Sequence, residues 1–159
     1  MGLRGSDHLG DWVMADWLTK EQRSRNMASI RSTGNKSTEA QFLKILRAAK
    51  IWGWRRRPKL KGNPDFVFNE QRVTVFIDGC FWHGCPRCYK MPRDNRSYWK
   101  SKVESNRRRD RRTTKLLRSL GWKVIRVWEH TLKSSVGRES VLASLRSELG
   151  KAGRSRAGG

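Results

Sequence analysis

Residues 75–90 read VFIDGCFWHGCPRCYK. The opening of this stretch, with Val73 and Thr74 before it, is a short apolar run that ends in Asp78 and Gly79, the pattern of a strand covered on both faces. A strand of that kind in mid-chain requires the elements before and after it to form layers around it. Upstream, residues 65–68 read as a second strand joined through the turn Asn-Glu-Gln-Arg, and residues 54–60 as an edge strand interrupted by Pro58. Before these, Thr38-Glu-Ala-Gln41 has the form of a capping box and Phe42, Ile45, Leu46 and Ala49 follow at helical spacing. Thr19-Lys-Glu-Gln22 has the same form and predicts a short helix carrying Met27 and Ile30, ending near Gly34.

Downstream, a long helix is expected over residues 95–120, stopped by Gly121 at the C′ position. Its seam is Trp99, Val103, Asn106, Asp110, Thr113, Leu117 and Leu120, so two polar residues share the apolar stripe. Residues 122–129 form a fourth strand, and Val141, Leu142, Leu145 and Leu149 mark a closing helix. The fold class is α/β, a mixed central sheet flanked by helices. The expected organisation is one domain over residues 19–149, between a loosely held segment 1–18 and a disordered basic tail 150–159.

Lys and Arg total 36 against 14 Asp and Glu, a formal charge of +22 with pI near 11.3 in 159 residues. Charge of this size calls for a polyanionic partner, and nucleic acid is the first candidate. No run of about 18 apolar residues exists, so no membrane span is expected. The first residues carry three aspartates and no apolar h-region, which argues against a secretory signal and for a cytoplasmic, nucleoid-associated protein.

All three cysteines lie in Cys80-x4-Cys85-x2-Cys88. An odd number at this spacing suits a tetrahedral zinc site better than disulfides. His83, between them, and His130, after the fourth strand, compete for the fourth position. Asp65 opens the second strand and Asp78 closes the third, so a hairpin should make them neighbours. With Glu39 from the first helix they form a hard-oxygen set suited to Mg2+. His83 is either a zinc ligand or a proton-transfer group. Asp110 is placed to orient it, or to pair with the arginines around it. Phe81, Trp82 and Trp99 are large flat side chains on a basic protein, suited to stacking on bases or wedging between them.

Asn-Pro-Asp65-Phe-Val, Ile77-Asp-Gly-Cys-Phe-Trp-His83-Gly-Cys-Pro, the Asn106 to Asp110 segment and Trp-Lys-Val-Ile-Arg-Val-Trp-Glu-His130 together resemble the very short patch repair (Vsr) DNA mismatch endonucleases. The resemblance implies a restriction-endonuclease-like core and a monomer that nicks one strand 5′ to the T of a T:G mismatch, the lesion left by deamination of 5-methylcytosine. It implies Mg2+ at Asp65 and the backbone carbonyl of Ile77, and His83 as the catalytic histidine. Glu39 and Asp110 are supporting acids, and Asp78 stands where some relatives carry histidine. It further implies structural zinc at Cys80, Cys85, Cys88 and His130, with Phe81, Trp82, Trp99 and Asn106 meeting DNA. The partners are T:G-containing duplex DNA and, with it, other mismatch-repair proteins. A nicking endonuclease of different specificity and a non-catalytic zinc-stapled DNA-binding module are the alternatives.

Overall fold

The computed structural model describes residues 19, 21, 22 and 37–154. The chain divides into two units, Met1–Gly34 and Asn35–Gly159. In the first, the Thr19 N–H donates to Gln22 Oε1 at 2.9 Å and the Gln22 N–H donates to Thr19 Oγ1 at 3.2 Å. This reciprocal pair is the predicted capping box, and residues 21 and 22 are helical. Segment 1–18, the Met27–Ile30 part of the expected helix and residues 155–159 lie outside the described residues.

The second unit is built on a four-stranded sheet in the order β1 (Trp54–Arg56), β2 (Phe66–Phe68), β3 (Val73–Asp78) and β4 (Lys123–Trp128). The first three strands are antiparallel and β4 runs parallel to β3, so the sheet is mixed. β1 is shorter than expected because Arg57 turns to φ 44°, outside the strand region, just before Pro58. Alternation along β3 separates two surfaces. Val73, Val75 and Ile77 join Phe42, Leu46, Phe66, Phe68, Val127, Leu132 and Leu145 in the main core. Thr74, Phe76 and Asp78 face the other way.

The core face is covered by α1 (residues 37–48) and α3 (Ser135–Arg154), the latter reached through a 3-10 turn at Glu129–Lys133. α1 is already helical at Ser37, so Thr38 lies within it and does not mark its first cap. α3 continues four residues past Gly150, through part of the expected basic tail, and Lys151 pairs with Glu148 at 2.8 Å.

α2 (Arg96–Ser119) connects β3 to β4 and packs on the opposite face. Gly121 has φ 80°; its N–H donates to Arg118 O at 3.0 Å, and the Trp122 N–H donates to Leu117 O at 2.9 Å. These two bonds make a Schellman motif, which sends the chain back along β4. Val103, Asn106 and Leu117 are buried on the seam, and Asp110 and Thr113 are half-buried. The polar half of that seam lies above Phe76 and Asp78, and this layer holds the chemistry.

Candidate active site and metal centre

The parallel register pairs Asp78 with Trp128. Two residues further on, that offset brings Cys80 beside His130. His130 Nδ1 lies 3.3 Å from Cys80 Sγ and 3.5 Å from Cys85 Sγ, and the ligand atoms of Cys80, Cys85, Cys88 and His130 all fall within 4.8 Å of one another. A zinc tetrahedron with Zn–S of about 2.3 Å and Zn–N of about 2.0 Å has an S–N edge of about 3.5 Å. The four side chains therefore have the spacing to hold a metal ion, and His130, not His83, stands with the thiols. Burial pushes the Cys80 thiol up to about 12. Burial also acts against the Cys85 thiolate, but the N–H groups of Arg87 and Cys88 outweigh it and hold Cys85 below the ordinary thiol range. A dication held here would require the Cys80 thiolate, which would link metal binding to proton release.

Gly84 carries the loop back. Its φ is 63°, and a Cβ there would meet Val103 Cγ1 at 2.5 Å. Only glycine allows this approach to α2. The Arg107 guanidinium closes the contact by donating to the carbonyls of His83 and Gly84.

His83 is thereby presented to α2. Its Nδ1 lies 2.5 Å from Asp110 Oδ2 and 3.6 Å from Asp78 Oδ1. Burial raises Asp110, but the His83 hydrogen bond and the His83, Arg126 and Arg109 charges outweigh it and hold the carboxyl below its ordinary range. An ionised Asp110 can only accept, so Nδ1 donates to it and Nε2 is the ring atom left outside this contact. Asp78 is 4% exposed and is gripped by Arg126, whose Nε donates to Oδ2 at 2.7 Å and Nη2 to Oδ1 at 2.6 Å. Nη2 also lies 3.1 Å from Asp110 Oδ1. Burial works against the Arg126 charge, but the two carboxylates prevail and raise it. Its Nη1 is buried without a hydrogen-bond partner, and the guanidinium stands 4.8 Å from the Phe76 ring centre.

Asp65 sits where the β2–β3 ladder ends. Its N–H donates to Val75 O at 3.0 Å, and its Oδ2 accepts the Ile77 N–H at 2.7 Å, taking the place of a ladder carbonyl. Burial pushes this carboxyl up to about 6 despite the Ile77 bond, with Glu39 and Asp78 adding repulsion. Asp65 and Asp78 do not share a ligand group among the described residues; the group is Asp78, His83 and Asp110. The two aspartates are close enough for Asp78 to repel Asp65, but their carboxylates are held separately: Asp65 Oδ2 accepts from the Ile77 N–H, while Asp78 is bound by Arg126. Glu39, 2% exposed, is bound to Arg56 at 2.8 Å and to Arg57 at 3.0 Å, so its carboxylate is committed to β1 and the turn after it.

Phe81, Trp82 and Trp99 form one cluster. Ring centres are 5.3 Å apart for Phe81–Trp82, 5.1 Å for Phe81–Trp99 and 6.0 Å for Trp82–Trp99, with Tyr89 and Tyr98 at its edges. All three are half-buried, outside the main core. Asn106 does not lie at this surface. It is 6% exposed and donates from Nδ2 to Trp82 O at 2.8 Å, so its place is beneath the aromatic loop, which it holds; the helix seam that buries Val103 buries it too.

Residues 15–90 match the profile of the DNA mismatch endonuclease Vsr family. The chain is 38% identical over 130 residues to the DNA mismatch endonuclease Vsr of Escherichia coli strain K12, 80% of each chain being covered. The chain belongs to the Vsr family. It is 43% identical over 112 residues to the type II nicking enzyme V.NaeI of Lentzea aerocolonigenes, covering 68% of each chain. A type II nicking enzyme of Xanthomonas oryzae pv. oryzae, V.XorIIP, is 35% identical over 134 residues, 83% of this chain and 97% of that one. Vsr membership makes the protein an endonuclease of DNA mismatch repair, consistent with its excess of cations.

Sequence reasoning missed Arg126 in this Vsr chain. The available signal was a charged residue at an inward position of Lys123–Trp128, opposite Phe76 in a parallel register. It also missed the arginines that hold Glu39. No helix among the described residues is long and apolar enough to cross a membrane.

Proposed function

We propose that this Vsr-family chain, through its 19–149 domain and a restriction-endonuclease-like core, nicks duplex DNA 5′ to the T of a T:G mismatch left by deamination of 5-methylcytosine. It acts as a cytoplasmic, nucleoid-associated monomer alongside other mismatch-repair proteins, and the segments 1–18 and 150–159 stand outside the nuclease domain. The observation that supports the reading is the His83–Asp110 contact at 2.5 Å, with His83 on the same loop that carries Phe81 and Trp82.

Asp65 and the Ile77 carbonyl would hold Mg2+. A buried carboxyl raised to about 6 has too few compensating cations, and two protein oxygens suit an ion that keeps waters and substrate phosphate as its other ligands. When bound, the ion supplies Lewis-acid neutralisation of charge on the phosphate. His83 Nε2 accepts the proton of the attacking water while Asp110 steadies the resulting imidazolium. Arg126 keeps Asp110 in place and neutralises Asp78, which would otherwise stand as a second buried anion beside the ring. Zn2+ at Cys80, Cys85, Cys88 and His130 would fasten the loop that carries Phe81, Trp82 and His83. Mismatched pairs unstack more readily than matched ones, so an aromatic wedge converts that weakness into selectivity.

A nicking endonuclease of different specificity is the second reading, favoured by relatives named as type II nicking enzymes. Single-turnover nicking of a T:G duplex by His83→Gln, with binding measured in parallel, tests the chemistry. Loss of about 10²–10⁴ in rate at unchanged affinity is expected. Wild-type rate in the variant would remove His83 from the mechanism.

A further inference from the structure

Beyond the nicking centre, α2 carries a second feature that the chemistry above does not use. A cleft opens directly off Asp110 and Arg126 and is lined further by Arg111, Thr114, Lys115 and Arg118. Residues 111–126 include six Lys or Arg and no acid. Arg111, Lys115 and Arg118 are exposed, and among the described residues none of the three lies within ion-pair distance of a carboxylate. The two carboxylates beside this stripe are already engaged, Asp78 and Asp110 both by Arg126. Asp110, at the end of the stripe, is already bound to Arg126 and His83; holding the like charges that follow it costs stability, and an external anion relieves that cost.

The spacing says which anion. Positions 110, 111, 114, 115 and 118 recur at helical intervals on one side of α2. Eight residues of helix rise about 12 Å. That is room for about three successive phosphates of one strand, which rise about 3.4 Å each along the duplex axis. A free phosphate or a nucleotide would occupy only one end of such a stripe. The stripe begins at the reacting centre, so a strand whose scissile phosphate lies by His83 continues along it.

We propose that Arg111, Lys115 and Arg118 form a track for the backbone phosphates that flank the scissile phosphate on the nicked strand. The proposal rests on the endonuclease reading and adds to it the path of one strand. The track grips backbone alone, with Thr114 as its uncharged polar contact, and therefore holds matched and mismatched duplexes alike. Discrimination stays with the aromatic loop at the other end of the site.

The test is a comparison of the triple variant Arg111→Gln, Lys115→Gln, Arg118→Gln with a control of equal charge change, Lys44→Gln, Arg47→Gln, Lys50→Gln. The control residues are exposed on α1 and the turn after it, on the opposite face of the sheet. Binding is measured against salt in zinc-loaded protein without added Mg2+. The slope of log K against log salt should fall by about 2.7 in the track variant, at about 0.9 per phosphate contact, and by much less in the control. Methylphosphonates, which remove phosphate charge, are then placed one to three steps from the scissile position on each strand in turn. On one side of the nicked strand they should weaken wild type and leave the track variant unaffected. An unchanged slope, an equal fall in the control, or a methylphosphonate penalty as large in the variant as in wild type would overturn the track. These are binding readouts, so they stand apart from the nicking reading. Wild type that fails to cut sinks that reading alone, and a salt slope left unchanged by the track substitutions in a protein that still nicks sinks the track alone.

Discussion

Asp65→Asn should make the protein inactive and more stable at once. The carboxyl moves from an ordinary 3.8 to about 6 because burial disfavours its charge. A raised acid binds its proton more tightly folded than unfolded, so wild type loses stability as pH climbs from about 4 to 6, and the loss persists above that window. At about 1.4 kcal/mol per tenfold change, the cost at neutral pH is about 3 kcal/mol at most, and relaxation of the site reduces it to about 2 kcal/mol. Asparagine keeps an oxygen for the Ile77 N–H and carries no charge. Thermal unfolding of zinc-loaded protein without Mg2+ should therefore show Asp65→Asn melting about 4–8 °C above wild type at pH 7.5. The gap should close near pH 4. Added Mg2+ should raise wild type by mass action and leave the variant where it was. A variant that melts below wild type at pH 7.5, or a gap insensitive to pH, would refute the reasoning that the site holds an under-compensated charge for a cation.

Cys85→Ser should lose tightly bound metal and melt well below wild type, since metal affinity is folding energy; metal analysis with calorimetry reads both, and an unmoved melting temperature removes the metal from the fold. Arg126→Met should destabilise by about 3–5 kcal/mol by stranding Asp78, and adding Asp78→Asn should recover much of it, because the buried unpaired charge is then gone. Additive losses in denaturant titrations would show that the pair does not interact. Trp82→Ala should narrow the affinity ratio between mismatched and matched duplexes more than it lowers affinity for either, and equal loss on both assigns Trp82 to packing.

Much of this architecture could be read in advance because the signals were local. Thr19–Gln22, the apolar run at Val73–Asp78 and Gly121 each fix their element by a short-range bond or conformation. His130 could be reached once β4 was laid beside β3, since register alone carries it to Cys80. The ion pairs resisted reading. Hairpin logic put Asp78 near Asp65, but nothing local announces the cation that binds it, Arg126, 48 residues away on β4. Periodicity put Asn106 on the α2 seam, but the bond it makes there, to the Trp82 carbonyl, joins residues 24 apart and has no local signal. Arg56 and Arg57 carried no signal of their own, yet both bind Glu39. In each case the partner comes from a different element of the fold, and only the assembled layers decide such choices.

The most direct test is strand-mapped, single-turnover nicking of two duplexes that differ only in a T:G or a C:G pair, with and without Mg2+. The account predicts one nick, 5′ to the mismatched T, in Mg2+ alone and on the T:G duplex alone. Cutting of both duplexes alike, or cutting that ignores Mg2+, would contradict it.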